Sequence, residues 1–174
     1  MEKDNEIKEY IEDFLRIKGS SYTPRDIEEA EFAFEVSHGR YNAMIYKVKE
    51  KKKVVLTVYF PIPDKIHKKL NQLFTKQKEH DEFRRELAKQ LMVYEALNYE
   101  LPTDDEGEIQ AIQIERVRLF DDRYPSFQEL YDDIQNLVNS MKRGLFHIND
   151  YVEETSIESL EEEEKGIGTP SMHG

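Results

Sequence analysis

The stretch Lys53-Val54-Val55-Leu56-Thr57-Val58-Tyr59-Phe60-Pro61 decides the fold. It is the longest near-unbroken apolar run in a polar chain. β-Branched and aromatic residues dominate it, lysines precede it, and Pro61 and Pro63 close it. A short bounded run of this kind reads as a buried strand. Val54, Leu56, Val58 and Phe60 point to one face; Val55, Thr57 and Tyr59 point to the other. Both faces are largely apolar, which predicts a central strand of a sheet, at least partly covered on both sides.

The 174 residues suit one folded domain, expected over residues 1–152 and followed by an acidic disordered tail over 153–174. That tail has seven acids and one lysine, few apolar residues and a Gly/Pro/Ser end. There is no cysteine, which excludes a disulfide framework, a thiol nucleophile and a Cys-ligated metal site. No segment resembles a signal peptide or reaches membrane-spanning length, so a cytoplasmic protein with no membrane association is expected. The net charge is −12, yet Arg40 to Lys78 carries eleven basic residues against two acids. Lysines on solvated hairpin tips and helix faces explain this most simply. The sharper alternative is an electropositive patch that meets an acidic partner.

Around the organising strand the chain reads as α+β. Asn5 to Lys18 is an amphipathic helix with Ile7, Tyr10, Ile11, Phe14 and Leu15 on one stripe, stopped by Gly19. Ser20 to Glu29 reads as a loop in which Thr23-Pro24 starts a single helical turn. Glu31 to Ser37 and Tyr41 to Val48 are strands. A register with Tyr46 opposite Leu56 and a three-residue first turn would place Phe32, Phe34, Val36, Met44, Tyr46 and Val48 with Val54, Leu56 and Val58 on one core face. Ile45, Val55 and Tyr59 then fall on the second, semi-apolar face.

Asp64 to Leu97 is helical in two out-of-phase stripes, so two helices or one kinked helix are expected. Asn98 to Pro102 is a short strand and Ile109 to Phe120 another. The apolar parity of the latter shifts from Ile112 and Ile114 to Val117 and Leu119, which a bulge or a strand leaving the sheet would explain. Ser126-Phe127-Gln128-Glu129 is a capping box that opens a long helix. Its stripe runs from Phe127 through Leu130, Ile134, Leu137 and Met141 to Val152, weakened at Gly144.

The element order α-β-β-β-α-β-β-α resembles the type III secretion chaperone-like fold, with an antiparallel sheet, and an archaeal domain family of unknown function that shares it. The resemblance covers roughly residues 5 to 150. It also rests on the run Ile114-Glu115-Arg116-Val117-Arg118-Leu119-Phe120-Asp121-Asp122, which leads into the capped helix. It implies a dimer that binds extended segments of other proteins.

Catalytic signatures are absent. There is no phosphate-binding loop, no dinucleotide fingerprint and no His-Glu-x-x-His. None of the five histidines pairs with another at metal-ligand spacing. His80-Asp81-Glu82 reads as a solvated helix face, and Asp104-Asp105 and Asp121-Asp122 as turn residues. No enzyme activity, cofactor or metal is expected. Two functions remain. One is a homodimeric, protein-binding or chaperone-like module whose partner surface includes Ile45, Val55 and Tyr59. The other is nucleic-acid binding through Lys47, Lys49, Lys51, Lys52, Lys53, Lys65, Lys68 and Lys69, with Tyr46 and Tyr59 as stacking surfaces. The acidic overall charge and the lack of a recognised motif count against the second.

Overall fold

A computed structural model describes residues 2–38, 41–73, 77–95, 97–105, 107–120 and 123–166. The elements in chain order are α1 (Glu2–Ile17), β1 (Tyr22–Arg25), β2 (Ala30–His38), β3 (Tyr41–Val48), β4 (Lys53–Pro61), α2 (Asp64–Leu73), α3 (Gln77–Leu91), β5 (Leu97–Glu100), β6 (Ala111–Leu119) and α4 (Phe127–Gly166). The strands form one antiparallel six-stranded sheet in the order β1-β2-β3-β4-β6-β5.

The organising strand is β4, and it is central as its composition demands. It pairs with β3 on one side and β6 on the other, and Val54, Val55, Leu56 and Val58 are each at most 1% exposed. Side chains of this size contribute roughly 1.5–3 kcal/mol each when fully buried. The buried residues of α1, α3 and α4 join Val54, Leu56 and Val58 in one cluster, so the helices cover this face of the sheet. The terminal stop of α1 is a Schellman turn. Gly19 lies at φ 66°, Ser20 N–H donates to Leu15 O at 3.0 Å and Gly19 N–H to Arg16 O at 3.1 Å.

Three expectations are corrected. First, the Ser20–Glu29 stretch holds a strand, not a helical turn. β1 pairs with β2, Pro24 opposite Phe34. Proline is tolerated there because β1 is an edge strand.

Second, both hairpin registers differ from the expected ones by one residue. His38 opposes Tyr41, so two residues connect β2 to β3, and Ile45 rather than Tyr46 opposes Leu56. The two changes compensate: Phe32, Phe34 and Val36 stay on the core face, while β3 turns over and buries Ala43, Ile45 and Lys47 there. The physical reason is polar satisfaction. A core Tyr46 would need a partner for its hydroxyl. Lys47, 4% exposed, instead bonds Glu31 Oε2 at 2.5 Å.

Third, β6 has no bulge, and its pairing with β4 runs unbroken from Ala111 to Leu119. Its apolar parity shifts because Arg116 and Arg118 occupy the core-face positions opposite Leu56 and Val54.

The helices described after β4 are α2 and α3, with Leu70 on the first and Phe83, Leu87 and Leu91 on the second all buried; α3 ends at Leu91 rather than Leu97, which begins β5, and residues 74–76 between the helices lie outside the described residues. α3 packs closely on α4 at Gly144, where a Cβ would stand 2.5 Å from Leu91 Cδ2. The glycine that interrupts the sequence stripe is thus a contact point. α4 itself is described as far as Gly166, within the acidic segment. Its Glu-rich sequence has good helix propensity and extends a helix already nucleated by packing. Residues 167–174 lie outside the described residues.

The capping box forms as read. Glu129 N–H donates to Ser126 Oγ at 3.2 Å, and Ser126 N–H to Glu129 Oε2 at 2.7 Å. Ser126→Ala is expected to destabilise the fold by about 1 kcal/mol in urea unfolding. The Glu129 carboxyl is held below its usual range, first by the Ser126 backbone amide, then by its side chain. A group depressed in the folded state stabilises above its unfolded pKa and loses that contribution as pH falls through the folded pKa. The advantage of wild type over Glu129→Ala is therefore expected at neutral pH and should vanish in acid. An advantage that persists in acid would contradict this.

Candidate interaction surface

Register places two different surfaces on the sheet. On the face away from the core cluster, Ala33, Tyr46, Val55 and Val117 form one cross-strand row. Glu35, Met44, Thr57, Glu115 and Asn98 form the next, and Tyr59, Gln113 and Glu100 a third. Leu119, opposite Lys53, ends the sheet on this side. None of the apolar members of these rows belongs to the core cluster. Tyr59 is 54% and Leu119 78% exposed. The polar members tie to one another around the apolar centre: Arg25 Nε and Asn42 Nδ2 donate to Glu35 at 2.6 and 2.7 Å. An apolar centre with a polar rim is the anatomy of a docking surface.

The sequence-level partner residues are therefore redistributed. Tyr59 lies on this open face. Val55 lies at its centre but is 1% exposed, screened by the side chains around it. Ile45 is on the opposite side, fully buried in the core, because of the register change in β3. Leu119 adds a second exposed apolar side chain, and Tyr46, Met44 and Val117 are half-buried beside it. Val117 and Leu119 were readable as an apolar pair of one parity, but their face depended on pairing. α4 does not cover the open face: Leu130, Ile134, Leu137, Val138 and Met141 pack in the cluster with Leu56 and Val58.

The lysines do not form one surface. Lys47 is buried against Glu31. Lys49 Nζ, in the β3–β4 connection, donates to the Glu28 carbonyl, and Lys51 and Lys52 are exposed beside it. Lys53 begins β4, whereas Lys65, Lys68 and Lys69 lie on α2, beyond the strand's other end. Nine residues of strand span about 26–30 Å. Near the tyrosines the charge is negative. The Tyr46 hydroxyl is pushed above its usual pKa by burial first, then by Glu115 and Glu29.

The core face carries charge at one end. Asp133 of α4 is 3% exposed and takes a bidentate pair from Arg118, Nε to Oδ2 at 2.7 Å and a terminal nitrogen to Oδ1 at 2.9 Å. Arg116 Nε approaches Asp133 Oδ1 at 3.4 Å, and its terminal nitrogen donates to Glu95 O at 2.9 Å. The Arg118 pKa is raised, chiefly by the hydrogen bond to Asp133, against the opposing effect of burial. This cluster anchors α4 on β6 and has the hallmarks of structure, since the arginines are directed at a carboxylate of their own chain.

Among the described residues one group brings three metal-ligating side chains together: His67, Asp104 and Glu108, at the other end of the β4–β6 pair. His80, Asp81 and Glu82 lie on α3, with Asp81 and Glu82 exposed; Asp121 and Asp122 lie outside the described residues. No described helix is long and apolar enough to cross a membrane.

Helices packed on one face of a meandering antiparallel sheet define an α+β module with the type III secretion chaperone-like fold. Residues 4–147 match the family described as "Uncharacterized conserved protein (DUF2299)", and the chain belongs to that family. Among solved structures it is similar to an uncharacterized protein from Methanothermobacter thermautotrophicus. The TM-score is 0.72 at 16% identity, over 83% of this chain and 98% of that one. It is also similar to YbjN from E. coli, proposed to be a transcription regulator, with a TM-score of 0.50 at 8% identity over 82% and 91% of the two chains. No curated protein matches. At these identities the likeness concerns the fold.

Asp133→Ala is expected to leave two arginines uncompensated on the core face. The loss should fall toward the lower end of the roughly 3–5 kcal/mol for a broken buried pair, because Arg118 keeps some contact with water. Thermal unfolding checks this; an unchanged midpoint would show that α4 is anchored without the ion cluster.

Proposed function

We propose that the protein is a non-catalytic, cytoplasmic, protein-binding or chaperone-like module that forms a homodimer through its open sheet face. The observation that carries this reading is the exposed apolar pair Tyr59 and Leu119 beside the half-buried Tyr46 and Val117, on the side the helices leave uncovered. Its size is adequate. Four strands of eight or nine residues and two of four, at about 4.8 Å spacing, present roughly 600 Å² in projection. A standard interface takes about 800 Å² of accessible surface per partner, and side-chain relief raises the projected figure toward that. The rim mixes Arg25 and Lys53 with Glu35 and Glu115, so it carries no single sign of charge that would repel a second copy. Residues 1–152 are the unit to which this reading applies.

Nucleic-acid binding has less support. The lysines sit at two ends of β4, and Tyr46, which would stack on bases, stands near Glu115 and Glu29. YbjN's proposed role in transcription concerns that protein, and the basic surface it would require here is divided.

Light scattering on the wild type should give twice the chain mass. Tyr59→Arg combined with Leu119→Asp should give the chain mass with an unchanged circular dichroism spectrum, because both residues are exposed. Single-stranded RNA and DNA should not bind at low or moderate salt. A wild-type monomer that binds nucleic acid with a steep salt dependence would overturn the proposal in favour of phosphate contacts.

A further inference from the structure

We propose that His67, Asp104 and Glu108 form a binding site for a divalent transition-metal cation, with Zn2+ as the best match. The ligands come from two segments that the fold brings together. His67 lies near the start of α2, directly after Pro63, whose carbonyl accepts from both Ile66 and His67 N–H at 2.8 and 3.0 Å. Asp104 and Glu108 lie on the connection between β5 and β6. That connection is held by its own hydrogen bonds: Asp104 N–H to Glu108 O at 3.0 Å, Gly107 N–H to Asp104 O at 3.1 Å and Glu108 N–H to Asp104 Oδ1 at 2.9 Å. Gly107 takes φ 84°, which a side chain would resist. The two carboxylates are therefore presented by a tight turn, and Ile62 N–H to Gln110 O at 2.9 Å fastens that turn to the chain that leads into α2.

The three ligand atoms lie within 4.8 Å of one another. His67 Nε2 is 3.5 Å from Glu108 Oε2. Between the groups stands the Gln110 amide nitrogen, 2.9 Å from His67 Nε2 and 2.7 Å from Asp104 Oδ2. With His67 protonated on Nδ1, its Nε2 lone pair and the Asp104 oxygen both face this electropositive NH2 group. A cation satisfies the same acceptors more strongly. A first-row ion with bonds of about 2.0–2.2 Å holds its ligand atoms about 3–4 Å apart, so modest side-chain rotations close the site. Turning the Gln110 amide over supplies Oε1 as a fourth donor. An imidazole with two carboxylates is a nitrogen-and-oxygen set, suited to Zn2+ and, more weakly, Mn2+, and poorly suited to soft Cu+. Two carboxylates neutralise the dication, and all three side chains are half-buried, which limits competition from water. Sequence spacing hides this site because His67 and Asp104 are separated by two helices and a strand.

Titrate the metal-free full-length protein with ZnCl2 by calorimetry, and with CoCl2 while recording visible absorption. One Zn2+ per chain is expected, with Co2+ bands of a low-coordinate nitrogen-and-oxygen site. The thermal midpoint should rise with Zn2+ concentration, since the metal binds the folded state. His67→Ala and the shape-preserving Glu108→Gln should each weaken binding at least about ten-fold. His80→Ala should leave it unchanged. No Zn2+ binding by wild type, or binding that persists at full affinity in both His67→Ala and Glu108→Gln, would overturn the proposal. Circular dichroism of each variant distinguishes loss of the site from loss of the fold.

Discussion

The structure depends on how one buried carboxylate is neutralised. Asp133 sits on α4 with almost no exposure, and β6 supplies Arg118 and Arg116 to it from the core face. A buried carboxylate without such partners would be strongly destabilising, so the helix and the strand must meet in this register. That choice propagates. Once β6 spends positions 116 and 118 on the core side, Val117 and Leu119 must point to the other side. The parity of a strand leaves no third option. The same contact holds α4 on the core face, so the helix is not available to cover the apolar residues it has displaced. An ion cluster on one side of the sheet thereby creates an apolar surface on the other.

Much of this fold was legible in the sequence, and the parts that were not share a cause. The central strand, the α1 stripe with its glycine stop and the capping box are all local signals, and each forms where it was read. The register of β3 is not local. It turns on whether Tyr46 or Lys47 is the better residue to bury, and Lys47 wins because Glu31 lies within reach across the hairpin. Sequence gives no sign of that pair, since a lysine in a strand ordinarily marks a solvent position. β1 was hidden because Thr23-Pro24 reads as a helix start, and only its place at the edge makes proline acceptable. The parity shift in β6 was visible as a pattern, but its reason lay in Asp133, fourteen or more positions along the chain. The candidate surface was legible only in part. Tyr59 was placed correctly relative to Val55, whereas Ile45 was assigned by a register that fails.

The two ends of β4 differ in chemistry. One end carries the lysine-rich hairpin and the Asp133 cluster, both with charges paired within the chain or open to solvent. The other end carries the His67, Asp104 and Glu108 group, with the Gln110 amide standing between His67 and Asp104. The open face lies between them. A metal at the far end would tighten the hold of α2 on the sheet edge without touching that face, so the two inferences can be tested independently.

The central claim is that copies of the chain meet through the open face. Because the protein has no cysteine, a single spin label can be placed at will. Asn42 lies exposed at the border of the open face, and Glu9 lies exposed on α1, on the helical side. The measurement is the intermolecular distance by pulsed electron resonance for Asn42→Cys and, separately, for Glu9→Cys. The account predicts a short, narrow distance for label pairs at 42 and a longer one at 9. A short distance at 9 with none at 42 would place the interface on the helices and contradict it, as would no intermolecular coupling at either position.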